Sequence, residues 1–214
     1  MKLFRLLRDH YLHLPKNNNI QISLCDDGSL IEPLTEVPRD WKVYKIKEDL
    51  GWNAEGARNL LMQETDTDWN INIDLDKVLS PLGWSLLQDN NFIDNLNPYK
   101  LHMLTRSPFD KSIKAKGRFR NNTIKTEQYK PCANDYFITK EYFWAHNGYD
   151  EKCRGYSYGG DNTLLDKCNI NILHNFPPLY TLAIKASHNK PLETHLPKYA
   201  FSNDRICFDW ERIQ

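Results

Sequence analysis

The first 25 residues contain no glycine, and the whole chain has only nine among 214. A glycine-rich loop cradling phosphate near the start of the chain is therefore excluded. Net charge is missing too, since Lys plus Arg and Asp plus Glu both number 28. Without an excess of either sign, no global field favours nucleic acid or an anionic membrane. Apolar runs are short, and none approaches the roughly 20 residues that span a bilayer. Residues 1–14 carry charges throughout, so no secretory apolar core is read there. The cysteines Cys25, Cys132, Cys153, Cys168 and Cys207 are an odd set without a Cys-x-x-Cys pair. They fit neither a zinc knuckle nor a disulfide framework and read as free thiols of a reducing cytosol. Internal repeats and low-complexity segments are also absent.

What is present is ordinary in bulk: 40% hydrophobic and 26% charged residues, as in most globular chains. The length suits one sizeable domain with one core. Leu3, Leu6, Leu7, Tyr11 and Leu14 stand at helical spacing and predict an amphipathic helix stopped near Pro15. Ile20 to Leu24 alternates with period two and feeds a turn at Asp26-Asp27-Gly28-Ser29. Trp41 to Ile46 reads as a strand, Asn53 opens a helix to about Glu64, and Trp69 to Asp74 alternates again as a strand. A helix over Pro81–Asn90, strands at Tyr99–Leu104 and Asp135–Ile138, and a helix over Thr139–His146 follow. The order predicts an α/β fold, helices flanking a mostly parallel central sheet. Residues 170–214, with Pro177, Pro178, Pro191 and Pro197, read largely as loop with a late strand near Ile206–Phe208.

Three acidic stations carry the chemistry: Asp26-Asp27, Asp74-Leu75-Asp76, and Asp161 after Gly159-Gly160. The first two sit at strand exits, the edge where open α/β sheets bind ligands. Two carboxylates one residue apart suit Mg²⁺ or Mn²⁺, which take oxygen ligands and bridge to diphosphates. Taken singly, an Asp-x-Asp is a common solvated triplet, and Asp-Asp-Gly-Ser is a good turn. Asn53-x-x-Gly56-Ala57-Arg58-Asn59 starts a helix whose N-terminus and guanidinium suit phosphate, or else is an ordinary capped surface helix. Asp161 follows paired glycines in an aromatic neighbourhood, where a ligand can approach closely and a carboxylate can accept a proton. Lys111, Lys114, Lys116, Arg118, Arg120, Lys125 and Lys130 crowd one aperiodic stretch. It reads as a solvated loop by default, then as a lid over a bound diphosphate, and last as a nucleic-acid patch.

In order and spacing, Asp26–Ser29, Gly56–Asn59, Asp74–Asp76, Phe143–Glu151 and Gly160–Leu165 resemble the motifs of one enzyme group. The chain is similar to the nucleotide-sugar glycosyltransferases of the GT-A fold, the family 2-like group, over residues 20–168. That group shows Asp-Asp-Gly-Ser, a Gly-x-x-x-Ala-Arg-Asn-like helix start, Asp-x-Asp, and Phe-Trp-x-x-x-Gly-Tyr-Asp-Glu before an acidic Gly-Glu-Asp. The chain departs from the pattern twice. Residues 1–14 read as a helix where the group opens on an apolar strand, and Gly160-Asp161 stands for Glu-Asp. The tail Arg205–Arg212 resembles endings of some compact viral and bacterial relatives.

The resemblance implies a single GT-A-like, Rossmann-like domain with a nucleotide- and metal-binding half (1–105) and an acceptor and catalytic-base half (106–214). It implies an inverting transfer of a hexose from a nucleotide sugar, most simply UDP-glucose, to a glycan or glycoprotein hydroxyl. Asp26, Asp27 and Gly28 would meet the base or ribose, and Arg58 would lie near the nucleotide. Asp76, with Leu75 and Asp74 beside it, would hold Mn²⁺ or Mg²⁺ against the diphosphate. Asp161 would be the general base, with Asp150 and Glu151 as substitutes. Apart from the resemblance, the aromatic cluster of Trp144, Tyr156 and Tyr158 is expected to form an acceptor-sugar platform, although aromatic residues at such spacing are more often core. His188 and His195 read as surface histidines, a further metal ligand being the alternative. Expected partners are donor and acceptor, with no nucleic acid and no membrane span, in the cytoplasm (a host's, were the source viral). The rivals are a nucleotide-sugar or glycan-binding module without turnover, and a sugar-nucleotide pyrophosphorylase, which the missing N-terminal glycines argue against.

Overall fold

The computed structural model describes residues 2–16, 18–27, 34–48, 53–106, 130–151, 162–182 and 209–214. In chain order the elements are α1 (Lys2–Leu12), β1 (Ser23–Asp26), β2 (Lys42–Ile46), α2 (Ala54–Glu64), β3 (Trp69–Asn72), β4 (Lys77–Val78), α3 (Pro81–Leu86) and α4 (Asn90–Asp94). Then come β5 (Leu101–Arg106), β6 (Lys130–Thr139), α5 (Lys140–Ala145), α6 (Asn162–Leu165), β7 (Ile170–Ile172), β8 (Tyr180–Thr181) and β9 (Trp210–Arg212). The chain divides into two compact units, one of residues 1–20, 71–138 and 169–185, the other of 21–70, 139–168 and 186–214.

The first unit is built on a four-stranded sheet in the order β3-β6-β5-β7, with β4 and β8 as a separate antiparallel pair. Strand β5 is buried along Leu101–Thr105 and runs antiparallel to β6 but parallel to β7. Helix α1 buries Phe4, Leu7 and His10, one stripe at three-residue spacing, and leaves Leu12 in solvent. Leu79 N–H donates to the Tyr11 hydroxyl at 3.2 Å, and His10 Nε2 donates to Leu79 O at 2.7 Å, so α1 is tied to the segment after β4. Ser80 caps α3 by accepting the Gly83 N–H at 3.0 Å, with Pro81 in the first turn, as helix starts favour. Phe92, Phe137 and Phe176 meet with ring centroids 5.3–6.0 Å apart and fill the space between α4 and the sheet.

The second unit holds a three-stranded sheet, β1-β2-β9. Strands β1 and β2 are parallel, with Asp26 opposite Lys45, whereas β9 returns antiparallel along Tyr44–Ile46. Helix α2 lays Leu60 on Tyr44 and Ile46, with Cys25, Ala57, Leu61 and Trp210 around them. These apolar positions drive the packing, each fully buried side chain contributing about 1.5–3 kcal/mol relative to exposure. Lys140 Nζ donates to the carbonyls of Gln63 and Thr65 at 2.8 Å each, placing a cation on the C-terminal end of α2.

The protein is thus a mixed α/β structure, and the expected mostly parallel sheet is corrected. Pairs β1–β2 and β5–β7 are parallel, but β2–β9, β5–β6 and β4–β8 are antiparallel. A period-two pattern marks a strand without giving its direction, and β7, β8 and β9 come from the proline-containing tail read as loop. The helix expected over Pro81–Asn90 is two short helices, because the turn at Leu87–Asp89 ends α3 and Asp89 caps α4. The strand expected near Ile206–Phe208 lies outside the described residues, while Trp210–Arg212 forms β9.

Candidate functional site

Within the first unit the Asp-x-Asp station is a tight turn. Lys77 N–H donates to Asp74 O at 2.9 Å, so Asp74-Leu75-Asp76-Lys77 reverses the chain between β3 and β4. An Asp at the first position suits such a turn. Leu75 is exposed at the tip and Asp76 is half in solvent, its side chain 51% exposed. The turn also folds Lys77 back over its own carboxylates. Lys77 Nζ lies 2.8 Å from Asp74 Oδ2, 3.4 Å from Asp76 Oδ1 and 3.3 Å from Asp135 Oδ2, with a side chain only 4% exposed.

Asp135, on β6 and fully buried, is the third carboxylate of this corner. Its Oδ1 accepts the Asp74 N–H at 3.0 Å, and Asn134 Nδ2 donates to Asp74 Oδ2 at 3.1 Å. Asn134 O in turn accepts from Asn72 Nδ2, which fastens β6 to β3 beside the turn. Burial works against the charge of Lys77, but Asp135, Asp74 and Asp76 outweigh it and hold the ammonium above the ordinary lysine range. Lys77 is charged throughout the physiological range.

A metal at Asp74 and Asp76 must be judged against this arrangement. Bare Mn²⁺ or Mg²⁺ needs oxygens gathered at about 2.0–2.2 Å, whereas these oxygens surround an ammonium. Among the described residues no group of three or more His, Cys, Asp or Glu side chains could hold a metal ion. The corner fits its own lysine. Of the three acids Asp76 is the most open to an ion that brings further oxygen ligands with it.

Within the second unit two other stations meet. Asn59, buried in α2, grips the backbone of Tyr149 from both sides. Its Nδ2 donates to Tyr149 O at 3.0 Å, and its Oδ1 accepts the Tyr149 N–H at 3.0 Å. The same Nδ2 reaches Glu151 Oε1 at 2.9 Å. Arg58 lies over the Tyr149 ring at 5.3 Å, a cation–π contact. Gly148, at φ +55°, makes the approach possible: a Cβ there would lie 2.7 Å from Phe143 Cε1 and 2.8 Å from Asn59 Oδ1. Thr163 Oγ1 accepts the Asp150 N–H at 3.2 Å, joining the next station to this one. Glu151, a substitute base by sequence, is thereby a buried partner of Asn59.

Asp26 ends β1 inside the strand, not after it, and is buried; Asp27 is partly exposed and Gly28 lies outside the described residues. Burial first, then the charges of Asp27 and Asp26, push the Cys25 thiol up, so it stays a neutral thiol between strand and helix. Asn53 precedes α2 as expected of a cap, yet its side chain makes no capping bond and both amide atoms are buried without partners. Trp144 is partly buried and meets Phe143 edge-on at 4.9 Å. Asp161, Tyr156, Tyr158, His188 and His195, with the basic stretch 107–129, lie outside the described residues.

Sequence reasoning passed over Lys77, Asn134, Asp135 and the clasp by Asn59. Lys77 had a legible signal, since a residue following Asp-x-Asp in a four-residue turn faces the first acid. Asp135 and Asn59 had none, because their partners lie about 60 and 90 residues away. Neither a protein-family model nor a curated protein matches this sequence. The likeness to GT-A glycosyltransferases rests on the chain's own motifs. Among the described residues no helix is long and apolar enough to cross a membrane.

Proposed function

We propose that this chain is a nucleotide-sugar glycosyltransferase that moves a hexose, most simply from a UDP-sugar, to a glycan or glycoprotein hydroxyl. The observation that supports the reading best is the pairing of motifs. The Asp-x-Asp turn is fastened to Asn134-Asp135, and Gly56–Asn59 is fastened to Gly148–Glu151. One pair of motifs, Gly56–Asn59 and Gly148–Glu151, is joined across about 90 residues, and the Asp-x-Asp turn is joined to a buried acid that belongs to none of the motifs. The donor diphosphate is assigned to the corner at Asp76; the roles of Asp26 and Asp27 toward the base or ribose and of Arg58 toward the nucleotide rest on the motif resemblance alone.

The chemistry is a direct displacement. The acceptor oxygen bonds to the anomeric carbon as the bond to the diphosphate breaks, and the acceptor proton passes to Asp161. Inversion follows from attack opposite the leaving group. Mn²⁺ or Mg²⁺ is proposed only as a companion of the diphosphate, whose oxygens such ions use beside one or two carboxylates. Trp144, Tyr156 and Tyr158 are assigned to the acceptor. A thermal-shift screen of nucleotide sugars, each with and without Mn²⁺, tests the reading. One nucleotide class should raise the melting temperature, and a flat response to all of them contradicts it.

A second reading is a sugar-nucleotide or glycan-binding module without turnover. It is favoured by Lys77, which already neutralises part of the corner where a reactive ion would sit. Binding of a UDP-sugar with no release of UDP, alone or with any acceptor, would select it.

A further inference from the structure

The cation at the Asp-x-Asp corner is part of the chain itself, the Lys77 ammonium. Three carboxylates and one ammonium give the corner a formal charge of minus two. The ammonium takes the central position, within 2.8–3.4 Å of an oxygen from each acid. Asp135 Oδ1 also accepts the Asp74 N–H and Asp74 Oδ2 also accepts from Asn134, while the buried Asp135 Oδ2 faces Lys77 Nζ at 3.3 Å as an ion pair, outside hydrogen-bond geometry. A divalent ion bound to the same oxygens would sit at nearly the same point as Nζ. The two cations exclude each other sterically and by charge.

Removing the buried ammonium is itself costly, because it leaves the fully buried Asp135 carboxylate without its counter-ion. The turn makes this arrangement intrinsic. Lys77 starts β4, and both its backbone N–H and its Nζ are bonded to Asp74. The lysine is held in place at both ends of the residue.

We propose that Lys77 is the resident cation of this corner and keeps bare divalent ions out of it, so that an ion enters only by displacing the ammonium. The inference concerns the corner assigned above to the donor diphosphate, but it holds for the free protein whether or not it transfers sugar. A ligand rich in anionic oxygens could draw Lys77 toward itself. That would make any metal requirement conditional on the ligand.

The test uses the full chain, stripped of metal, with Mn²⁺ alone and no nucleotide, so failure of sugar transfer cannot be mistaken for failure of the inference. Bound and free Mn²⁺ are separated by electron paramagnetic resonance. The unaltered protein should leave micromolar Mn²⁺ free. Lys77→Met should bind one equivalent about tenfold more tightly or better, a preference worth about 1.4 kcal/mol. If Lys77→Met fails to fold, Lys77→Met with Asp135→Asn removes one buried charge as well, and should still bind Mn²⁺ more tightly than the unaltered protein. One equivalent of Mn²⁺ held at micromolar affinity by the unaltered chain, and lost in Asp74→Asn, overturns the inference. So does a folded Lys77 variant, single or double, that binds Mn²⁺ no better than the unaltered chain.

Discussion

Asn59 holds Tyr149 by both of its backbone groups, Nδ2 to the carbonyl and Oδ1 to the amide, each at 3.0 Å. The side chain acts like an extra strand of one residue. It joins the middle of α2 to the turn that follows α5, and Arg58 beside it rests on the Tyr149 ring. An Ala-Arg-Asn helix and a Gly-Tyr-Asp-Glu turn are therefore a single structural feature.

Truncating this clasp should be costly. Asn59→Ala removes its hydrogen bonds to the Tyr149 backbone and the Glu151 carboxylate, a loss of about 1–3 kcal/mol. Gly148→Ala forces a left-handed alanine against Phe143 and Asn59 and should cost about 2 kcal/mol or more. Calorimetric melting checks both. A shift within about 1 °C for either variant would contradict the clasp, since each kcal/mol moves a chain of this size by about 2–4 °C.

Stability should fall on mild acidification. His102 Nε2 donates to Asn97 O at 2.8 Å, while Nδ1 accepts from Asn171 Nδ2 at 3.1 Å, so the ring is bonded as a neutral imidazole. Burial first of all lowers its pKa, and burial likewise lowers that of His10. The unfolded chain takes up these protons near the ordinary value of 6.5, the folded chain only below it. Below that pH the unfolded state binds more protons, so the contribution is complete above it and lost as pH falls. Urea unfolding between pH 5 and pH 7.5 should show midpoints falling toward acid, with a shallower slope in His102→Gln. Equal slopes for the two proteins would rule the histidine out.

How much of this was legible beforehand depends on distance along the chain. Helices α1 and α2 and strands β2 and β3 were readable because period and end signals are local. Sheet direction was not, since Trp210–Arg212 joins β2 from the far end of the chain. The acids Asp74 and Asp76 stood out in the sequence. Their partners Asp135 and Asn134 did not, because β6 is brought to the turn by sheet order alone. Lys77 is adjacent in sequence, but its place among the acids depends on the turn that folds it back over Asp74.

Asp161 carries the proposed proton transfer. Asp161→Asn should keep nucleotide-sugar binding within about threefold while transfer falls by about 10²-fold or more, the scale of general-base catalysis. Donor calorimetry and a UDP-release assay with acceptor separate the two effects. Near-normal turnover would remove Asp161 as the base. Asp150, with its N–H on Thr163, would be the next acid to test.

The most direct measurement of a donor site at the Asp-x-Asp turn is isothermal titration of UDP-hexoses into the unaltered protein and Asp76→Ala, with Mn²⁺ and again with chelator. Saturable binding to the unaltered chain in the presence of Mn²⁺, lost in Asp76→Ala, is the expected result. Equal affinity for the two proteins would contradict the assignment, and so would the absence of binding by any nucleotide sugar.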